Sequence, residues 1–213
     1  MIDKPKFRRR KDARPGEIIE AALDVFADHG FAQARLDDIA ERAGVSKGSI
    51  YLHFSSKEDL FRAVVTKSIA PNVAMVRDLA HSGDADFVQL MEMLPRLLGQ
   101  VLKASQVGAV AKIVIGESRN FPALALHWHN EVVNPMLSIF TGLIAAAQHS
   151  GRVRSGEPRL FAVQLAGPVM LGFLWHEIME PIGAEPIPFE DLLHQHVQTM
   201  LRGMLINLDK IDE

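Results

Sequence analysis

The amino-acid sequence predicts an all-α fold in which three short N-terminal helices precede a larger helical body, with about nine helices in total. Apolar residues recur at intervals of three and four along almost the whole chain of 213 residues, as in amphipathic helices. No segment shows the alternation of apolar and polar residues that is typical of a half-buried strand. Clusters of Gly, Pro and Ser divide the chain into segments of helical length.

The composition predicts a soluble, cytoplasmic protein. Apolar residues make up 48% of the chain, and the absence of cysteine excludes disulfides, thiolate metal sites and cysteine nucleophiles. The N-terminus is charged and no apolar segment follows it, so we expect no secretory signal. The longest uncharged apolar run, residues 160–175, is shorter than the roughly 20 residues that span a bilayer, and it contains Pro168. We therefore expect no membrane association.

Positive charge is concentrated at the N-terminus, although the net charge of the chain is −3. Residues 1–14 contain seven Lys and Arg and two Asp, which gives a local charge of +5. We predict that this segment is a flexible basic arm. Both a contact with an anionic partner and a merely solvated tail fit this composition.

Three short helices are predicted at the start of the chain. The first begins at Pro15, a favoured residue in a first turn, and ends at Gly30. The second covers about residues 37–43 and is followed by a glycine that supplies a turn. Ser46 is a suitable N-cap for the third helix, which runs to about His53.

The body is predicted to contain six longer helices. The first of them begins at a capping box in which either Ser55 or Ser56 is the N-cap. The predicted domains are the basic arm (1–14), the three-helix unit (15–60) and the body (61–213). The helices of the body are predicted at residues 57–81, 84–104, 105–118, 122–149, 158–180 and 188–208.

The stretch AGVSKGSIYLHF, residues 43–54, fits two motifs. Its G-x-S-x-G pattern matches the nucleophile elbow of serine hydrolases, with Ser46 as nucleophile, but an elbow needs a preceding strand and the sequence predicts a helix there. The stretch also fits the turn and second helix of a helix-turn-helix. Ile50 and Phe54 would then face inward, and the opposite face would carry Gly, Ser, Leu, Tyr and His. Such a face suits the major groove of DNA. The alternative is a small helical bundle that carries an outward leucine without binding DNA.

We predict that the exposed face of this third helix binds DNA. Gly48 permits close approach of the backbone, and Leu52 can contact a thymine methyl. Lys47 and Ser49 can bond base edges or phosphates. The nearby side chains suited to phosphates are Tyr51, His53 and Lys57.

Three motifs carry a family resemblance: Phe26-x-x-x-Gly30 at the end of the first helix, DIAERAGVSKGSIY and FSSKEDLF. With them, residues 16–62 resemble the DNA-binding domain of tetracycline-repressor (TetR/AcrR) family regulators. The resemblance implies a homodimeric transcriptional regulator without enzymatic activity, usually a repressor, that binds a near-palindromic operator. It also implies that a small molecule in the body releases the protein from DNA.

Carried onto this chain, the resemblance implies that Ser46 caps the recognition helix. One departure is Ala34-Arg35, which stands where the family commonly has a threonine or serine before its second helix. Arg35 then replaces the hydroxyl with a charged contact. The predicted DNA-binding residues are Arg35, Ser46, Lys47, Gly48, Ser49, Tyr51, Leu52, His53 and Lys57.

Two C-terminal segments predict a dimer interface. Apolar side chains on residues 188–208 spread over an arc of about 220°, whereas a surface helix needs a stripe of about 100°. Residues 160–175 are apolar all round, so the two helices and their twofold copies would form a four-helix interface. The alternative is a monomer whose last helix is central in its core. The predicted interface residues are Gly167, Leu171, Leu174, Leu193, Val197, Met200 and Met204.

An apolar effector site is predicted in the body. The stretch FPALALHWHNEVVNPMLSIF places a few polar side chains among large apolar ones. A Met- and aromatic-rich interior with few polar groups suits an adaptable pocket, although the same pattern is common in plain cores. The predicted effector-binding residues are Phe87, Met91, Leu94, Leu98, Ile113, Glu117, His127, Trp128 and Glu131.

Neither a metal nor a cofactor is predicted. The pairs His127-x-His129 and His194-x-His196 are two residues apart, which on a helix separates the side chains by about 200°. Metal pairs on helices are usually three or four residues apart. The alternatives to a ligand-responsive repressor are a DNA-binding regulator with no small-molecule effector, a structural helical dimer, and a serine esterase using Ser46.

Overall fold

The structure is a computed structural model that describes residues 15–81, 87–104 and 106–206. The predicted basic arm, residues 1–14, lies outside this range, and so do the last residues of the chain, 207–213.

Nine helices lie within the described ranges, as the sequence predicts, and the only β-type pairing there is an isolated bridge between Val153 and Leu205. The three short helices are α1 (Pro15–Gln33), α2 (Leu36–Arg42) and α3 (Lys47–Tyr51). Helix α4 joins Lys57–Val64, a π-helical turn Val65–Ile69, and Ala70–His81. Helices α5 and α6 are Phe87–Ala104 and Val107–Glu117, and α7 joins Pro122–Trp128, a π-helical turn His129–Val133, and Asn134–His149. Helix α8 joins Pro158–Leu174, a π-helical turn Trp175–Met179 and the 3₁₀ turn Glu180–Ile182, and α9 is Phe189–Met204.

Capping residues set the ends of the N-terminal helices. Gly30, at φ +74°, leaves the helical conformation inside α1, so the regular helix ends there as predicted and only one further turn follows. At the start of α4 the Ser56 Oγ accepts a bond from the Asp59 N–H, and Asp59 in return accepts from the Ser55 N–H. Ser56 is therefore the N-cap of α4.

The core is continuous across the predicted domain boundary at residue 60. Phe26 and Phe31 of α1 pack with Phe61 of α4, with ring centroids 5.4 to 5.7 Å apart. A second cluster joins α5, α7, α8 and α9 around buried residues such as Met91 and Ile144. Helix α4 therefore belongs to both parts of the molecule, and it is the element through which they are packed together.

Helix α8 begins where the sequence predicts and ends two residues later than predicted. It runs unbroken from Pro158 to Ile182, 25 residues, and Pro168 lies inside it without interrupting it. By length and composition alone the helix could cross a membrane, although the core helix of a soluble protein can have the same length and composition. It packs against α6, α9 and the second half of α7, and its outward side is apolar.

Candidate DNA-binding surface and ligand cavity

Two buried anchors fix the orientation of α3. Ile50 is fully buried and Phe54 nearly so, as their spacing predicts. The turn before α3 contains Gly44 at φ +69°, a conformation that favours glycine. Ser46 caps the helix, because its Oγ accepts a bond from the Ser49 N–H at 3.1 Å.

The opposite face of α3 is open to solvent. Lys47, Gly48, Tyr51 and His53 are exposed, and Leu52 is 80% exposed, the highest value among the large apolar residues described. A leucine so placed gains nothing from burial in the folded chain. The face predicted to enter the major groove is therefore presented as expected at these five positions.

Ser49 does not belong to this face, so the prediction that it contacts bases was wrong. Its residue is 5% exposed, and its Oγ is hydrogen-bonded to the Ser46 Oγ at 2.9 Å. The hydroxyl is thus used to hold the first turn of α3. It stabilises α3 from within the helix.

Two cations flank the exposed face. The Lys47 Nζ donates to Asp37 Oδ2 at 2.9 Å, and this hydrogen bond is the main reason that the pKa of Lys47 is raised. Arg35 is exposed at the N-cap position of α2 and makes no side-chain cap bond. A guanidinium has no hydrogen-bond acceptor, so it cannot cap the N-terminus of a helix.

Lys57 is not available to a phosphate, which corrects the prediction for this residue. Its Nζ donates to the carbonyl oxygens of Phe31 (2.6 Å), Ala32 (3.0 Å) and Ala34 (3.2 Å), and it lies 4.6 Å from the centroid of the Phe31 ring. An ammonium has three hydrogens, so these bonds use all of them. Burial lowers the pKa of Lys57, and the nearby Glu58 and Glu117 oppose that shift. Lys57 ties the end of α1 to the start of α4.

The hydrolase interpretation of Ser46 is also wrong. A nucleophile elbow places its serine between a strand and a helix, whereas Ser46 follows α2 and a turn. Its hydroxyl is occupied as a helix cap.

The body contains a cavity of about 380 Å³ that is lined by six helices. No Lys, Arg, Asp or Glu is among the described residues that line it. The polar exceptions on its wall are the indole of Trp128, the amide of Asn72 and the imidazole of His196, whose Nε2 donates to the Gln164 carbonyl at 3.1 Å. The lining residues are Ile69, Asn72, Val73 and Val76 of α4; Leu94, Leu98 and Val101 of α5; Val107 of α6; Trp128, Val132, Val133, Met136, Leu137 and Phe140 of α7; Val163, Leu165, Ala166, Gly167, Val169, Met170 and Phe173 of α8; and Leu193, His196 and Val197 of α9.

Three of the predicted effector residues, Leu94, Leu98 and Trp128, line this cavity. The other six predicted effector residues do not. Three of them are buried in packed core outside the cavity, and Glu131 is half-buried away from its wall. The three core residues are Phe87, Met91 and Ile113.

Glu117 and His127, the remaining two, lie between the body and the three-helix unit. Glu117 Oε1 accepts a bond from the Ala32 N–H at 3.1 Å. The His127 Nε2 is 3.3 Å from the Arg62 carbonyl oxygen of α4. Because His127 precedes the cavity residue Trp128, one turn of α7 contacts both the cavity and α4.

The sequence argument missed most of the cavity wall. Residues 69–76 were treated as ordinary helix. Residues 132–140 lie in the stretch on which the effector site was predicted, but none of them was named as a lining residue, and both segments supply a large part of the lining. One signal could have revealed the first of them: Asn72 is a polar residue on the same helical face as Ile69 and Val76.

The predicted dimer residues divide into two groups. Leu193, Val197 and Met204 are buried in the core of their own chain, because α9 packs its apolar side against α5, and their assignment to an interface was wrong. Leu171 is 55% exposed, Gly167 is exposed, and Leu174 and Met200 are half-buried.

Helix α8 presents a continuous outward stripe of apolar residues. Its members lie three or four positions apart and so fall on one side of the helix. We call this set the α8 stripe: Leu160, Val163, Gly167, Leu171, Leu174 and Ile178.

Within the described part of the chain, no three His, Cys, Asp or Glu side chains are grouped closely enough to hold a metal ion.

Comparison with known proteins assigns the chain to a class and then to a family. Residues 18–64 match the profile of bacterial regulatory proteins of the tetR family, and residues 89–205 match the AefR-like transcriptional repressor C-terminal domain. Together with the exposed face of α3, these matches define a DNA-binding transcriptional regulator. The chain belongs to the TetR family, which confirms the resemblance seen in the sequence.

Individual relatives agree with this assignment. The chain is 46% identical over 70 residues to the HTH-type transcriptional activator FasR of Mycolicibacterium smegmatis, a match that covers 33% of this chain and 32% of that protein. It is 26% identical over 166 residues to the fatty acid metabolism regulator protein of Bacillus subtilis, which covers 76% and 81% of the two chains. The structure of the fatty acid degradation regulator FadR from Bacillus halodurans superposes with a TM-score of 0.74 at 25% identity, covering 89% of this chain and 99% of that one.

Proposed function

We propose that this protein is a homodimeric, cytoplasmic repressor that binds a two-half-site operator through α3 and is released by a small, largely apolar effector. The observation that carries the proposal is the exposed face of α3, where Leu52 projects into solvent between Tyr51 and His53 above two buried anchors. One such helix reads few base pairs, so twofold pairing is needed for useful specificity.

The α8 stripe supports the dimer. Six apolar positions on one side of a helix form a surface that a second copy would cover by pairing twofold with its own stripe. Leu171 and Ile115 offer a matched test, because they are 55% and 57% exposed but Ile115 is on α6 and is not a member of the stripe. Sedimentation should show that Leu171→Glu is a monomer and that Ile115→Glu remains a dimer; two dimers would contradict the assignment of the interface.

The effector role is supported by the position of the cavity. Trp128 forms part of its wall, and the neighbouring His127 contacts the Arg62 carbonyl on α4. Helix α4 is tied to α1 by Lys57, and α1 is tied to the body by Glu117. A ligand that displaces α7 would therefore act on the packing of the three-helix unit and could change the separation of two recognition helices.

Repression is proposed because the C-terminal profile is that of a repressor, whereas one relative is named as an activator. The test uses fluorescence anisotropy with duplexes from the protein's own upstream region, over a series of salt concentrations. We expect sequence-selective binding whose affinity falls steeply as salt rises, and release of the duplex by an apolar ligand that also raises the Tm. Failure to bind any duplex selectively at low salt would contradict the proposal. Selective binding that no ligand reverses would favour a regulator without a small-molecule effector.

A further inference from the structure

We infer that the effector is an uncharged molecule, apolar over most of its surface, with a hydrogen-bond acceptor that receives the amide N–H of Asn72. This inference rests on the proposed function and adds to it the chemical class of the ligand and the residue that selects it.

Asn72 is one of the residues that line the cavity, and its amide nitrogen is buried and has no hydrogen-bond partner in the part of the chain that is described. Its neighbours on the same helix, Ile69, Val73 and Val76, are buried apolar residues that also line the cavity. A buried N–H without an acceptor is costly, and native proteins rarely retain one without a reason. An acceptor on a bound ligand would satisfy it.

The cavity is unsuited to a charged ligand. Its described wall contains no Lys, Arg, Asp or Glu that could pair with a carboxylate, a phosphate or an amine. His196 donates through Nε2 to the Gln164 carbonyl, and burial lowers the pKa of its imidazole, which favours the neutral form. A single amide donor in an apolar chamber fits a ketone, an ester, an ether or a phenol.

Size and local backbone geometry agree with this class. A volume of about 380 Å³ accommodates about 13 non-hydrogen atoms, judged from the roughly 30 Å³ that a water molecule occupies in the liquid. The two π-helical turns, Val65–Ile69 and His129–Val133, pack on each other beside the cavity and contribute lining residues. Such turns are frequent at functional sites.

The experiment measures binding of two probe pairs whose members differ in a carbonyl: benzophenone with diphenylmethane, and 2-decanone with decane. Competition against a neutral fluorescent naphthylamine gives the affinity of each probe for the full-length wild type, Asn72→Leu and Asn72→Asp. Both substitutions remove the amide donor while keeping a side chain of similar size. Asn134→Leu is the control, because Asn134 is an exposed residue on α7 that does not line the cavity.

We expect the ratio of ketone to hydrocarbon affinity to fall about tenfold in Asn72→Leu, the effect of one hydrogen bond to a buried donor. In Asn72→Asp the ratio should fall only at a pH where the carboxyl is ionised, because a protonated aspartic acid keeps an O–H donor. The ratio should be unchanged in Asn134→Leu. Comparing ratios between variants cancels the different hydration of the two probes. We also expect decanoate to bind wild type at least about tenfold more weakly than 2-decanone, since its charge would be buried without a partner.

Equal ratios in wild type and both Asn72 variants would overturn the inference, as would decanoate binding as tightly as 2-decanone, or no binding of any probe. The anisotropy experiment separates this failure from that of the proposed function. Ketones that release DNA without depending on Asn72 would leave the proposed function intact. A ratio that depends on Asn72, with no effect of any probe on DNA, would confirm the site and contradict its role as an effector switch.

Discussion

Leu52 on α3 and Asn72 on the cavity wall lie in environments that do not suit them. Leu52 is an apolar side chain in water, and the Asn72 amide nitrogen is a polar group in an apolar chamber. In each case the misplaced residue is surrounded by residues that obey the usual rules: Ile50 and Phe54 are buried beneath Leu52, and apolar side chains surround Asn72. The difference between the two regions is the chemistry that is missing, an apolar contact at one and a hydrogen-bond acceptor at the other.

This comparison shows how function can be located from physical inconsistency. A sequence specifies its fold when local preferences and global packing agree, and exceptions concentrate at functional sites. Leu52 calls for a partner with an exposed apolar group and Asn72 for one with an acceptor. The first description fits the methyl groups of thymine in a major groove, and the second fits a small neutral ligand.

The prediction with the largest expected effect asks whether the Leu52 side chain contributes to the stability of the fold. Ile50→Ala should lower the free energy of unfolding by about 2–5 kcal/mol, because it deletes a fully buried side chain. Leu52→Ala, two residues away, should change it by less than about 0.5 kcal/mol and weaken operator binding about five- to tenfold. Denaturant unfolding and anisotropy measure the two quantities. A large loss of stability in Leu52→Ala would show that Leu52 has a structural role, which would contradict its place in the comparison with Asn72.

The second prediction asks whether Lys57 belongs to the DNA-binding face. Lys57→Met should destabilise the protein by about 1–3 kcal/mol, since three carbonyl oxygens lose their donor. It should leave the salt dependence of DNA binding unchanged. Lys47→Met is the matched variant: if Lys47 reaches a phosphate, its loss should reduce the slope of log K against log salt by about 0.9. A reduced slope in Lys57→Met would return Lys57 to the DNA-binding face.

The smallest expected effect concerns Asn72 in the absence of ligand. Asn72→Leu should raise the free energy of unfolding by about 1 kcal/mol, because it removes a buried donor that has no acceptor. In a chain of this length that corresponds to an increase in Tm of about 2–4 °C. Calorimetry of ligand-free protein measures it. A lower Tm would mean that Asn72 stabilises the fold. Asn72 would then no longer be comparable with Leu52, whose side chain is expected to contribute little to stability.

The N-terminal unit was predictable because its determinants are local. Ser46 and Gly30 set helix ends through neighbouring atoms, and the spacing of Ile50 and Phe54 defines the buried side of α3. The predictions for Ser49 and Lys57 failed because neither side chain is used where its chemistry suggested. The Ser49 hydroxyl bonds within its own turn, and Lys57 reaches carbonyls more than twenty residues away in the sequence.

The cavity was only partly predictable because it is space left between helices. Periodicity gives the face of a helix that points inward but not which turn of that face lies beside a void. On α5, Phe87 and Leu98 share a side but are about 16 Å apart along the axis, and only Leu98 reaches the cavity. The dimer prediction failed at Leu193 for a related reason, because the apolar side of α9 is buried against α5 of the same chain.

Val163 and Gly167 line the cavity and also belong to the α8 stripe. In the proposed dimer, one helix would therefore lie between a bound effector and the second copy of the chain. If an occupant shifts that wall, it alters the strength of subunit association, and reciprocity requires association to alter the affinity for the occupant by the same factor. Titrations made at protein concentrations above and below the dimer dissociation constant would then yield two different apparent affinities for the same compound.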